Sequence, residues 1–141
     1  MRNRFGTTAT ALTSTQLNAL NSTNLQAIET QDLQALTPLQ MASVSSSQIN
    51  NLSSTQVQAL TKAQIQSLST DQVHGISTTV AGFLGSVQSQ ALTETQLNAL
   101  TTDAVGKLTT SAIQALSAKQ VSGISTTQLN NLSSNQVRAL D

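Results

Sequence analysis

The chain reads as an all-α solenoid of sixteen eight-residue units, each one short capped helix. Three observations predict this. An aliphatic residue recurs every eighth position from Leu12 to Leu140, without insertion or deletion. Ser or Thr follows it in thirteen of the sixteen octads, and Gln stands three residues further on in eleven. A second large apolar residue holds the sixth place of every octad except those with Ala81 and Ser89. The consensus is Leu-[Ser/Thr]-x-x-Gln-[Val/Leu/Ile]-x-Ala, and a fixed period of this kind is the signature of a repeat architecture.

A period of eight excludes the simpler folds. On one straight α-helix, eight residues overshoot two turns by about 80°, so the apolar stripe would wind around the axis. On one strand, the first and sixth places have opposite parity and face opposite sides. The chain must therefore turn once per octad.

The polar letters place the turn. Ser or Thr followed three residues later by Gln is a capping box, which satisfies two orphan amide donors at a helix start. An apolar residue just before the cap packs on one in the fourth helical position, as a hydrophobic staple. With Thr61 as cap, Gln64 closes the box, and Leu60 and Ile65 form the staple. Pro38, the only proline, follows the cap Thr37 and so falls at the first helical position, where its missing N–H costs nothing. All six acidic residues lie in the first half or middle of their octads, as the helix dipole prefers. The usual Ala of the eighth place allows close backbone approach.

Helices this short do not persist alone. They must stack on neighbours, and the stack is a solenoid. Two helices per coil would make a rod on the order of 70 Å long at ~9 Å per layer. The alternative is a β-solenoid, a fibre or ice-binding form in which Thr rows and Gln ladders are at home.

The chain divides into an N-terminal tail, residues 1–11, and one solenoid over 12–140, regular in 12–76 and 92–140 and irregular in 77–91. In the irregular part Val80 replaces Gln, Phe83 replaces Ala and Gly85 replaces the cap. Val80, Phe83, Leu84, Val87 and Ala91 follow amphipathic helix spacing, which predicts one longer helix over about 78–91. Phe83 either fills volume left by Ala81 and Gly82 or marks a partner surface.

Composition limits function. Net charge is zero and 9% of the 141 residues are charged, so no field steers nucleic acid or an anionic membrane to the surface. Arg2 and Arg4 read as a solvated end. The other basic residues, Lys62, Lys107, Lys119 and Arg138, hold four different octad places and build no stripe. Phe5 and Phe83 are the only aromatics, too few for a base-stacking surface. Cysteine is absent and His74 is the sole histidine, so a metal site lacks ligands and His74 reads as a solvated residue. The scattered carboxylates form no acid–base pair, and no Gly-x-Ser-x-Gly elbow or phosphate loop occurs. No catalytic, cofactor-binding or metal-ligating set is expected, and the chain does not read as an enzyme. No apolar run approaches the length of a membrane span. The basic start lacks the apolar core of a signal peptide.

Two resemblances follow from these residues. "LTPLQMAS", Leu36 to Ser43, resembles the opening helix of a TAL-effector repeat, but only in its cap. The long repeat and its base-reading residues are missing, so no DNA binding is implied. The region 12–140 is similar to Leu-Thr-x-x-Gln-Val octapeptide arrays of large secreted or surface proteins of bacteria. That resemblance implies a spacer, stalk or adhesin-like segment outside the cell. The terminal octads lack an obvious polar cap, so self-association or continuation into neighbouring repeats is expected. A module recognising a peptide or glycan near Phe83 is the second expectation.

A helical far-ultraviolet circular dichroism spectrum with a cooperative thermal melt is expected. A single minimum at the β position would overturn the reading of the caps.

Overall fold

The computed structural model describes residues 11–141. The tail up to Thr10, with Arg2, Arg4 and Phe5, lies outside them. The described residues contain sixteen α-helices and no strand, one helix per octad. The helices are α1 (Ser14–Ala19), α2 (Ser22–Gln26), α3 (Thr30–Ala35), α4 (Pro38–Ala42), α5 (Ser46–Asn50), α6 (Ser54–Ala59), α7 (Lys62–Ser67) and α8 (Thr70–His74). There follow α9 (Thr78–Phe83), α10 (Ser86–Ala91), α11 (Glu94–Ala99), α12 (Thr102–Gly106), α13 (Thr110–Gln114), α14 (Ala118–Gly123), α15 (Thr126–Asn130) and α16 (Ser134–Arg138). The β-solenoid, and with it the fibre and ice-binding alternatives, is thereby removed.

Each helix starts and stops for local reasons. Thr61 accepts a hydrogen bond from the Gln64 N–H, and its own N–H donates to Gln64 Oε1 at 3.0 Å. Thr37 caps Gln40 in the same way, with Pro38 as the first helical residue. α6 ends at Ala59 because the next two residues are extended. Leu60 has φ −59° and ψ 132°, and Thr61 has φ −78° and ψ 160°. No described residue has a positive φ. The restart therefore needs no left-handed glycine of the kind that commonly ends helices. A cap residue and a branched aliphatic suffice.

The helices stack three apart in sequence. α3 packs on α6, α4 on α7, α7 on α10, α8 on α11 and α10 on α13, while α5 touches both α8 and α9. Polar contacts also reach the fourth neighbour, as described below. One superhelical coil thus holds between three and four helices, not two. Sixteen helices make between four and just over five coils. At 8–10 Å per layer the solenoid is about 40–50 Å long, shorter and wider than a two-helix coil allows.

The core is one continuous cluster along the axis. It is built from the first-place residues, such as Leu36, Leu60 and Leu100, and the sixth-place residues, such as Leu33, Ile65 and Leu97. Each such side chain stabilises the fold by about 1.5–3 kcal/mol on burial.

The irregular middle is two helices, not one. The expected long helix over 78–91 breaks between Phe83 and Ser86 because Leu84 and Gly85 are both extended. Ser77 caps α9 through the Val80 N–H, and the Gly85 N–H still donates to Gln88 Oε1 at 3.2 Å. Half a capping box therefore suffices to restart the chain, and amphipathic spacing across the break does not override it. The missing bulk at Ala81 and Ser89 is offset by Val80, which is fully buried, and by Phe83, which packs half-buried against the core.

Two positions define how closely the layers fit. Gly75 closes α8 against α5, and a Cβ there would lie 2.6 Å from Ser46 Cβ. Val44, the only Val in the first place, lines a small apolar void of about 20 Å³ beside Leu17, Leu33, Met41 and Leu52. Gly75→Ala should lower stability by about 1–3 kcal/mol through overpacking. Val44→Leu should raise it by about 0.5–1 kcal/mol by filling the void with one methylene. Chemical denaturation of both variants checks the pair; equal effects of one sign would contradict the packing described.

Candidate functional site

The most organised polar constellation in the molecule lies between the coils. Its first part is the fifth-place glutamine. In α7 the Gln64 Oε1 accepts from its own cap, while Nε2 donates to the carbonyls of Leu33 and Leu36, both at 2.8 Å. Those two carbonyls lie at the end of α3, four helices earlier. One amide therefore closes the start of its own helix and the end of a helix in the previous coil.

The same register recurs along the chain. Gln56 donates to Leu25 and Ile28, Gln96 to Ile65 and Leu68, Gln128 to Leu97 and Leu100, and Gln136 to Val105 and Leu108. Gln40 reaches Leu12. All of these side chains but Gln40, which is half-buried, are buried, Gln64 to 1% exposure. A primary amide supplies two N–H donors and an acceptor oxygen, and this geometry uses all three.

The second part is the seventh place, which donates forward. Asn18 Nδ2 donates to the Ser43 carbonyl at 2.9 Å, Gln26 to Asn51 and Gln34 to Ala59, both at 2.8 Å. Each acceptor is the eighth-place residue three octads later. Where the donor is Asn, its Oδ1 also accepts a cap N–H of that later coil: Asn18 from Ser45 and Asn50 from Ser77, both at 2.8 Å, and Asn98 from Ser125. His74 belongs to this row. It is exposed, but its Nδ1 lies 3.1 Å from the Ala99 carbonyl, so Nδ1 carries the proton and donates. His74 is a solvated side chain with a structural bond.

Five octads lack the glutamine; in three of them Val80, Ala104 and Ala112 take its place, and all three side chains are buried. There the cap oxygen still accepts from the helix, as Thr101 does from the Ala104 N–H. Apolar packing replaces the bridge to the earlier coil.

Asp32 is the exception that stands apart. It occupies the glutamine place of α3, is fully buried, and neither carboxylate oxygen has a hydrogen-bond partner. The cap of the same unit, Glu29, makes no side-chain cap bond. The sequence brings these two acids into one octad, and the structure does not join them into a pair.

The remaining surface carries little chemistry. Among the described residues no group of three or more His, Asp or Glu could hold a metal ion, and no helix is long and apolar enough to cross a membrane. A groove lined by Lys62, Thr93, Glu94, Leu116, Ser117 and Lys119 is open to solvent. Its ion pair, Lys119 to Glu94 at 3.3 Å, is largely exposed and so contributes little. Phe83 lines none of the surface grooves described.

Sequence reasoning identified Thr37, Pro38, Thr61 and Gln64 as elements of the caps, and they sit at helix starts as described. It missed the second role of the glutamine. A signal was available. Capping boxes accept Glu as readily as Gln, yet the fifth place holds eleven Gln and no Glu. A required N–H donor accounts for that bias.

Comparison with known proteins agrees with the repeat. A family model described as the ALTTAQ repeat matches residues 25–62. No curated protein and no solved structure matches the chain.

Gln64→Glu should cost about 3–5 kcal/mol, because a buried carboxylate would face the Leu33 and Leu36 carbonyls without a donor. Gln64→Ala should cost less, about 1–3 kcal/mol, since it removes the bonds without adding a charge. Urea unfolding of the two variants tests the order. A Glu variant as stable as wild type would mean that the bridge contributes nothing.

Proposed function

We propose that the chain is a non-catalytic spacer or scaffold module that sets a fixed distance between whatever is attached to its two ends. The observation that supports this reading is the continuous axial core. Residues of nearly every octad join it, and each coil bonds only to its neighbours through side chains 25 to 31 residues apart in sequence. Load applied at one end passes through stacked, hydrogen-bonded layers rather than through a hinge. The exposed second, third and fourth places, rich in Ser and Thr, keep the outside uncharged and hydrated.

The partners in this reading are neighbouring octads. A place in a secreted or cell-surface protein of a bacterium follows from the resemblance to octapeptide arrays and suits a chain without cysteine. An enzyme is not proposed, because the titratable groups described form no acid–base set. The peptide- or glycan-binding alternative depended on an exposed cluster at Phe83. That side chain packs against the core, so no observation favours it.

Small-angle X-ray scattering of the purified chain should give a folded rod about 40–50 Å long, with one dominant thermal transition by circular dichroism. A flexible-chain scattering profile would remove the spacer reading.

A further inference from the structure

We infer that the seam between successive coils yields first over α12 and α13, where they lie on α9 and α10, while the neighbouring α11–α14 edge stays joined. The inference rests on the spacer reading and names where the closed rod gives way under load.

Earlier in the chain the seam is stitched without a gap. α6, α7 and α8 each send a glutamine back, to the carbonyls of Leu25 and Ile28, of Leu33 and Leu36, and of Met41 and Val44. Over α12 and α13 the stitches are missing in both directions. Ala104 and Ala112 hold the glutamine places, so no amide reaches the matching carbonyls of Val73, Ile76, Ala81 and Leu84 among the described residues. In the forward direction Gly82 has no side chain to offer Lys107, and Gln90 makes no side-chain bond to Ala115. Among the described residues the one hydrogen bond from α9 or α10 to α12 or α13 is that of the exposed Ser86 hydroxyl to the Ser111 carbonyl, at 3.3 Å.

What holds this stretch is apolar packing, and much of it is by small residues. Val80, Ala81, Ala104, Val105 and Ala112 are at most 1% exposed. Alanine buries less area than a larger aliphatic residue, and the stabilisation follows the area. Ser89 on α10 is fully buried with its hydroxyl unpartnered, a further local cost. The next edge keeps its bonds. Gln120 Nε2 donates to the Ser89 carbonyl at 2.8 Å and to that of Leu92, and Asn98 bonds to the Gly123 carbonyl and the Ser125 N–H. Lys119 lies 3.3 Å from Glu94 on the same edge. Neighbour interfaces sum to the stability of a repeat array, so the weakest of them sets where it opens.

Hydrogen exchange of the whole chain, read by mass spectrometry, compares α13 with α7, which Gln64 stitches to the earlier coil. The amides of α13 should exchange about tenfold faster or more, because local opening there breaks fewer bonds. Gly82→Asn restores the forward stitch. A Cβ at Gly82 would lie 3.6 Å from the Lys107 carbonyl oxygen, so a side chain has room. By the pattern of Asn18 and Asn50, the new amide would donate to that carbonyl and accept from the Thr109 N–H. Exchange in α13 should then slow about fivefold or more. Gly82→Gln is a second version, since Gln26 and Gln34 hold the same place. Gly82→Ala favours helix without adding an amide and should protect α13 less. Gly106→Asn stitches α12 to the following coil, at Asn131, and should also protect α13 less.

Exchange in α13 no faster than in α7 would overturn the yielding stretch. Protection by Gly82→Ala equal to that of the Asn and Gln variants would sink the role of the missing amide. Stronger protection by Gly106→Asn than by Gly82→Asn would mean that α13 opens from the following coil, and the inference would fall. The scattering and melting of the unmodified chain judge the spacer reading separately.

Discussion

One amide side chain, repeated, holds this structure together. The fifth-place glutamine joins the start of its helix to the end of another helix four octads earlier. The bond to its own cap makes a helix of five or six residues possible. The bonds to the earlier coil set where that helix must lie. Short helices have large end effects, because the first four N–H and last four C=O groups of a helix lack partners within it. In a helix of this length nearly every backbone group is an end group. A fold made only of such helices needs side chains that satisfy starts and stops together, and glutamine has the reach and the paired functions to do so.

Leucine alone would not set the register. Its burial drives the coils together but is non-directional, and neighbouring octads present almost the same apolar face. The glutamine bridge and the seventh-place amides are directional, and they link separations of 28 and 31 residues in one direction and 25 and 27 in the other. Together they select one stacking among several of similar apolar area. Where an apolar residue takes the glutamine's place, at Val80, Ala104 and Ala112, the flanking coils already hold the register and packing suffices.

The irregular middle shows how local and periodic signals compete. Amphipathic spacing through Val80, Phe83, Leu84 and Val87 favours one helix, whereas the octad favours two. The octad prevails because Leu84 must enter the core as a first-place residue, as it does at 3% exposure, and the extended backbone there delivers it. Tertiary burial overrides a local helical pattern of two turns, and half a capping box is enough to restart the next helix.

The fold class, every helix start except that of α10, and the core residues were legible in the letters from Leu12 to Leu140. Their causes are local: a cap and its box act within three residues, and an apolar stripe within seven. The number of helices per coil, the bridging bonds of Gln64 and its equivalents, the bond made by His74 and the isolation of Asp32 were decided by the tertiary structure. These depend on residues about thirty positions apart meeting across a layer. A repeat of eight is compatible with more than one coil, because every octad looks alike to its second, third and fourth neighbour until the layers are packed.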